Sequence, residues 1–177
     1  MAVLQTIKKF FNPAVEQTER EIIPAPQTAY AVKRLKVDDI DRLLELNLRC
    51  FRQGENYTKH TFNYLLTQPQ SLGLMAETPS GEMAGFVLLM NNPDGAAHIT
   101  TVGVAPEHRR RGIAKKLITE LESLLRKKSA STIVLEVRVG NRAAQDLYTH
   151  AGYSIVKRMI RYYHNGEDGY LMMKSLV

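Results

Sequence analysis

The chain has 177 residues, of which 44% are hydrophobic and 24% charged, and its net charge is +6. This length predicts one globular domain with a sizeable core, and no apolar run approaches the roughly 20 residues needed to span a bilayer. Cys50 is the only cysteine, which excludes an intrachain disulfide and favours a cytoplasmic location.

Residues 1–29 differ from the rest of the chain. Apolar residues near the start follow a helical spacing, and Pro24 and Pro26 keep the chain before Tyr30 extended. We expect an N-terminal extension here, either a short helix docked on the domain or a mobile arm. A membrane-touching or targeting helix is the alternative.

From Tyr30 onward the pattern predicts alternating strands and helices. Helices are expected to begin near Val37, Lys59, Gly112 and Asn141. This order predicts an α/β domain over residues 30–177, with helices on both faces of a mixed sheet. Alternating and β-branched residues predict strands at Tyr30–Leu35, Leu72–Glu77, Met83–Met90, Ile99–Val104, Thr132–Val139, Ser154–Tyr163 and Tyr170–Leu176.

The stretch from Val102 to Lys116 contains the strongest signal. A strand leads through a proline into a basic turn, and Gly112 then opens a helix. Main-chain N–H groups at a helix N-terminus, with the positive end of the helix dipole, form an anion site. The arginines at 109–111 add charge that suits a pyrophosphate, although a solvated basic cap is the alternative.

The run from Arg109 to Ala114 resembles the Arg/Gln-x-x-Gly-x-Gly/Ala turn of the GCN5-related N-acetyltransferases (GNAT). In that family the turn holds the pyrophosphate of acetyl-coenzyme A (acetyl-CoA). The element order agrees as well, so the resemblance covers about residues 30–177. It implies the GNAT fold, a mostly antiparallel central sheet of about seven strands. The implied cofactor-binding residues are Val102, Gly103, Val104, Arg109, Arg110, Arg111, Gly112, Ile113, Ala114, Lys115, Asn141 and Tyr148.

The run Leu135–Tyr153 resembles the Leu-Glu-Val-Arg…Asn-x-x-Ala…Leu-Tyr…Gly-Phe/Tyr segment of N-terminal acetyltransferases. Asn141 suits the N-cap of a helix, and the resemblance implies that it also contacts the pantetheine arm of the cofactor. Tyr148 lies seven residues on and shares that helix face. The resemblance implies that its hydroxyl points at the coenzyme A sulfur, whereas a core tyrosine is the alternative.

Two further runs, Gly54–Tyr57 and Tyr162–Tyr170, resemble the peptide-binding loops of Ard1-type N-terminal acetyltransferases. Gly54 stands where that group usually has proline, and the chain lacks the Pro-Trp-Ser element of the ribosomal-protein-type relatives. An ordinary aromatic strand is the alternative for the tyrosine pair. The implied substrate-binding residues are Glu55, Tyr57, Tyr162 and Tyr163.

The implied chemistry is attack by a neutral amine on a thioester. An α-amine has a reference pKa of about 8, so a weak base suffices. Glu136 and Glu55 are both candidate bases, with surface salt bridges as their alternative, and His98 is a third choice. Tyr148 is the candidate acid, and a main-chain N–H within Val102–Val104 would stabilise the developing oxyanion.

The sequence therefore predicts an enzyme that transfers acetyl from acetyl-CoA to the α-amino group of protein or peptide N-termini. Acetylation of lysine side chains or of a small amine, and a non-catalytic acetyl-CoA-binding module, are the alternatives. A ribosome or an auxiliary subunit is a candidate partner, and we expect neither specific nucleic-acid binding nor a membrane span. We expect no metal, because the five histidines show no ligand spacing.

Overall fold

The computed structural model describes residues 22–51, 56–92 and 95–177, which form a seven-stranded sheet covered by helices. No helix within these ranges is long and apolar enough to cross a membrane. The helices are α1 (Ile40–Cys50), α2 (Lys59–Thr67), α3 (Ile113–Lys127) and α4 (Arg142–His150). The strands are β1 (Ala31–Arg34), β2 (Ser71–Glu77), β3 (Met83–Asn91), β4 (Ala97–Val104), β5 (Thr132–Arg138), β6 (Ser154–Met159) and β7 (Gly169–Ser175).

The sheet has the strand order β1-β2-β3-β4-β5-β7-β6. Every neighbouring pair is antiparallel except β4 and β5, which run parallel. The prediction of a mixed, mostly antiparallel sheet of about seven strands is therefore confirmed.

Helices cover both faces of the sheet because successive strand residues point to opposite sides. On β3, Val87 packs into the cluster that contains Leu117 of α3, whereas Phe86 packs into the cluster that contains Leu43 of α1. All four of these side chains are fully buried. The sheet is thus held between α1 and α2 on one face and α3 and α4 on the other.

The strands β4 and β5 pair only at their beginnings. Ala97 lies opposite Ile133 and His98 opposite Val134, and no further pairs follow. The pairing of β3 with β4 shifts register beside Thr100, since Leu88 lies opposite Thr101 and Leu89 opposite Ile99. A bulge of this kind bends a strand. The remainder of β4 therefore diverges from β5 and opens a gap in the middle of the sheet.

One predicted strand is too long. We expected Ser154–Tyr163, but β6 ends at Met159 and Arg161 adopts a positive φ of 48°. The carboxylate of Asp168 accepts hydrogen bonds from the Arg161 N–H and from the Arg158 side chain, both at 2.8 Å. This carboxylate turns the chain, so Tyr162 and Tyr163 lie in the β6–β7 loop rather than in a strand.

Some predictions fall outside the described residues. The apolar helical spacing near the chain start lies within residues 1–21, and Glu55 lies within residues 52–55. Residues 22–29 are described and contain neither helix nor strand. The division into an N-terminal extension and a domain from residue 30 stays a prediction.

Candidate active site

Two adjoining cavities lie at the gap between β4 and β5 in the described part of the chain. The first, here called the strand cavity, has a volume of about 470 Å³ and is lined by Ile99–Val102 and Leu135–Arg138. The second, the helix groove, has a volume of about 820 Å³ and follows the N-terminus of α3 and one side of α4. The two form one channel, because both are lined by Cys50, Phe51, Val102, Arg109, Asn141, Ala144 and Tyr148.

The helix groove begins at the predicted anion site, the N-terminus of α3. Gly112 is the N-cap of α3 with a φ of +74°, and an added Cβ there would meet nothing within 4 Å. Ile113, Ala114 and Lys115 follow it along the groove. The N–H groups of a first helical turn have no intrahelical partner and carry the positive end of the helix dipole. This arrangement is complementary to a phosphate group.

The side chains of the three arginines before Gly112 point in two different directions. Arg109 and Arg110 line the helix groove. Arg111 instead donates hydrogen bonds to the main-chain oxygens of Ala25 and Pro26, the latter at 2.6 Å. The Arg111 side chain therefore lies against the N-terminal segment and not in the groove, and its role in cofactor binding stays a prediction.

The end of β4 forms one wall of the channel. Val102 lines both cavities, and Gly103 and Val104 line the groove. An added Cβ at Gly103 would lie 2.5 Å from the Phe86 ring and 3.1 Å from the sulfur of Cys50. Glycine is thus required here by the packing beneath the strand.

Asn141 and Tyr148 face the channel from α4. The Asn141 side-chain oxygen accepts a hydrogen bond from the Ala144 N–H at 3.1 Å, which confirms its predicted N-cap role. The Tyr148 ring packs edge-on against Tyr153, with 5.7 Å between ring centroids. Burial raises the pKa of Tyr148 well above its usual value, so its hydroxyl stays protonated at neutral pH.

A buried acid–histidine pair lies at the base of the strand cavity. Oε2 of Glu136 is 2.7 Å from Nε2 of His98, and their side chains are 10% and 3% exposed. Among the described residues, neither Oε1 of Glu136 nor Nδ1 of His98 has a hydrogen-bond partner. Glu136 lines the cavity, and its Oε1 has no competing hydrogen bond among the described residues.

Tyrosines border the strand cavity on its other sides. The buried Tyr57 donates a hydrogen bond to the main-chain oxygen of Thr100 at 3.0 Å. Tyr163 lines the cavity and stacks on the Arg138 guanidinium, 3.9 Å from the ring centroid. Tyr162 does not line it but packs edge-on against Tyr163, with 5.1 Å between centroids. Tyr57 and Tyr163 are thus brought together with Glu136, and Tyr162 supports Tyr163.

A carboxylate holds the tyrosine loop in place. Oε1 of Glu167 accepts the Gly140 N–H at 2.8 Å, and Oε2 pairs with the Arg138 guanidinium. The Gly140 hydrogen bond and this ion pair lower the pKa of Glu167 below its usual value. An added Cβ at Gly140 would lie 2.7 Å from the carboxylate, which explains the glycine.

Sequence reasoning missed several channel residues. Cys50 and Phe51 line both cavities, and Ile22 lines the strand cavity. Burial raises the pKa of Cys50 to about 11, so it remains a thiol and acts as an apolar wall. The position of Phe51 directly after α1 was the available signal, because loop residues that follow an element often carry function. Ile22 gave no such signal.

One group of potential metal ligands occurs among the described residues, formed by Glu82, Glu107 and His108. Nε2 of the buried His108 lies 3.3 Å from Glu82. Glu107 already pairs with the Arg49 guanidinium, which lowers its pKa against the effect of burial. We therefore assign no metal to this group.

Comparison with known proteins gives consistent matches. The sequence model of the acetyltransferase (GNAT) family matches residues 40–153. The chain is 36% identical to the N-terminal acetyltransferase A complex catalytic subunit NAA10 of Arabidopsis thaliana over 82% of this chain and 77% of that protein. It is 34% identical to the N-alpha-acetyltransferase daf-31 of Caenorhabditis elegans over 82% of each chain.

Solved structures agree in fold. The crystal structure of Ard1 from Thermoplasma volcanium superimposes with a TM-score of 0.77 at 22% identity, covering 84% of this chain and 99% of that one. At this identity the likeness concerns the fold alone. The family match and the two relatives above 30% identity show that the chain belongs to the GNAT family of acetyltransferases.

Proposed function

We propose that this protein transfers the acetyl group of acetyl-CoA to the α-amino group of protein or peptide N-termini. The names of the two relatives, an N-terminal acetyltransferase subunit and an N-alpha-acetyltransferase, support this acceptor class. The observation that carries the proposal is the continuous channel. In it a cavity that contains Glu136 opens, at Tyr148, into a groove that contains an anion site.

The helix groove fits acetyl-CoA in its donors and its size. The main-chain N–H groups around Gly112 and Ile113 would hold the pyrophosphate, with Arg109 and Arg110 beside it. Its volume of about 820 Å³ lies in the usual range for ligand sites. The side-chain amide of Asn141 would contact the pantetheine arm. Bound acetyl-CoA supplies an activated thioester carbonyl.

Glu136 is our proposed base. An α-ammonium group, with a reference pKa of about 8, releases its proton more readily than a lysine at about 10.4. The Glu136 carboxylate takes this proton directly or through a water molecule, while Nε2 of His98 holds its Oε2 at 2.7 Å. His98 does not line the cavity and is a positioning residue. Glu55 lies outside the described residues and is the alternative base.

Tyr148 is our proposed acid. Its hydroxyl retains its proton at neutral pH because burial raises its pKa, and it lies where the two cavities meet. It would therefore donate a proton or a hydrogen bond to the sulfur of the leaving group. Beyond His98 the described β4 pairs with β3 alone. An N–H within Val102–Val104 on its other edge would stabilise negative charge at the reaction centre.

Tyr57 and Tyr163 are our proposed contacts for the peptide. Their rings cover apolar side chains, and tyrosine hydroxyls form hydrogen bonds with main-chain groups. Tyr162 supports Tyr163 from behind. Because one relative is named as the catalytic subunit of a complex, we also propose an auxiliary subunit. A cytoplasmic location and ribosome association complete the proposal, on the sequence arguments given above.

The test uses the purified full chain, acetyl-CoA and a peptide library varied at the first two positions. Each peptide has an N-terminally blocked twin that retains one internal lysine. We expect acetylation of free N-termini only, located by mass spectrometry. Preferential acetylation of blocked peptides at lysine, or of polyamines, would establish the lysine or small-amine alternative. Uptake of acetyl-CoA without transfer to any amine would establish the non-catalytic module.

A further inference from the structure

The segment Ile22–Ala29, here called the strap, is fastened to the turn between β4 and α3. The Ala25 N–H donates a hydrogen bond to the main-chain oxygen of Glu107 at 3.0 Å. Arg111 donates to the main-chain oxygens of Pro26, at 2.6 Å, and of Ala25. The middle of the strap is therefore held through its main chain.

Tyr30, the residue that directly follows the strap, is held as well. The Tyr30 hydroxyl is 2.9 Å from Nδ1 of the buried His108, and the two rings pack edge-on. Lys116, on the first turn of α3, donates to the main-chain oxygen of Tyr30. Contacts along the strap thus attach it to the turn that presents Arg109 and Arg110 to the helix groove.

The N-terminal end of the strap reaches the strand cavity. Ile22 lines this cavity together with Phe51 and Arg109. Only Ile23 and Pro24 separate it from the anchored part, and proline fixes its own φ and favours an extended residue before it. The Ile22 side chain is 45% exposed and that of Ile23 is 77% exposed. The position of Ile22 is therefore determined by the anchors, whereas Ile23 points to solvent.

We propose that Ile22 is a specificity-determining residue of the strand cavity. Its side chain adds an apolar contact beside Phe51 for the side chains nearest the reacting amine of the acceptor. An uncharged polar acceptor side chain would lose water against Ile22 and Phe51 without gaining a hydrogen-bond partner from them, so apolar side chains are favoured. The strap lies outside residues 40–153, which match the family.

This inference rests on the proposed function for the kind of acceptor, and the experiment compares Ile22→Ala with Ile23→Ala. Both remove the same atoms from neighbouring positions of the strap. Steady-state kinetics are measured with peptides that carry apolar or uncharged polar residues at the first two positions. For Ile22→Ala we expect KM for the apolar peptides to rise roughly fivefold, which corresponds to about 1 kcal/mol of apolar contact. Discrimination against the polar peptides should fall, and KM for acetyl-CoA should stay unchanged.

Ile23→Ala should behave as the wild type with every peptide. Equal peptide profiles for the two variants and the wild type would overturn the role of Ile22 alone. A wild-type chain that acetylates no peptide would overturn the proposed function together with this inference. Ile22→Val, which removes a single methylene group, provides the comparison if Ile22→Ala lowers Tm. A graded rise in KM from Val to Ala is expected, and a flat series would contradict the inference.

Discussion

Replacement of Tyr148 by phenylalanine removes one hydroxyl group from the junction of the two cavities. The ring is buried and packs edge-on against Tyr153, contacts that phenylalanine preserves. Burial raises the pKa of Tyr148, and phenylalanine would occupy the same buried place. The free energy of unfolding should therefore stay within about 0.5 kcal/mol of the wild-type value.

The effect on turnover should be much larger. A positioned general acid contributes roughly 100-fold to 10,000-fold to a rate. We expect kcat for Tyr148→Phe to fall at least about 100-fold, which corresponds to about 2.7 kcal/mol in the activation barrier. Binding of acetyl-CoA should change little, because the anion site at Gly112 lies on α3 and stays intact.

Release of the coenzyme A thiol measures kcat, calorimetry measures acetyl-CoA binding, and thermal unfolding checks the fold. A folded variant with a kcat within threefold of wild type would refute the acid role of Tyr148. A variant with weaker acetyl-CoA binding and unchanged kcat would show instead that the hydroxyl serves ground-state binding. These outcomes separate proton donation from cofactor contact.

The remaining predictions concern three other parts of the site. Gly112→Ala should strain the backbone by about 1–2 kcal/mol and weaken acetyl-CoA binding in calorimetry. Gly81→Ala is the control, because Gly81 has a similar φ of +86° and an added Cβ there also meets nothing within 4 Å. It should lower Tm and leave acetyl-CoA binding unchanged. Glu136→Gln should lower kcat/KM roughly 100-fold, and a kcat/KM equal to that of the wild type would reject this base. The hydrogen bond from the Gly140 N–H lowers the pKa of Glu167. The Glu167 carboxylate therefore contributes its full stabilisation above about pH 4.3, the usual pKa of a glutamate, and this stabilisation is lost as the pH falls through the lowered pKa. Acid unfolding of Glu167→Gln should therefore depend less on pH, and parallel curves would contradict this.

Local patterns were sufficient to predict most elements. The spacing of apolar residues defines α3, and Gly112 marks its start within one residue. The alternation in β5 places Leu135 and Val137 on the core side and Glu136 on the other, as observed. The helix start at Gly112 and the N-cap at Asn141 could be predicted for the same reason, since both depend on residues within one turn of each other.

Features set by distant contacts could not be predicted. The arginines at 109–111 are equivalent in sequence, and Arg111 is directed out of the groove by the strap and by Tyr30, some 85 residues away along the chain. The end of β6 depends on the carboxylate of Asp168, seven residues beyond Arg161. Strand propensity contains no information about that hydrogen bond, so the aromatic run was predicted to continue the strand.

The pairing of His98 with Glu136 shows the same limit at the centre of the site. Each residue was a separate candidate base, 38 positions apart. Parallel pairing brings His98 opposite Val134, and Glu136 lies two residues further along β5 on the same face. Because β4 and β5 separate immediately afterwards, the pair lies where the sheet opens into the strand cavity. The register of this short parallel pairing thus brings the two candidate bases together as one hydrogen-bonded pair. Glu136 lines the cavity, and the His98 imidazole contacts its carboxylate from outside the lining.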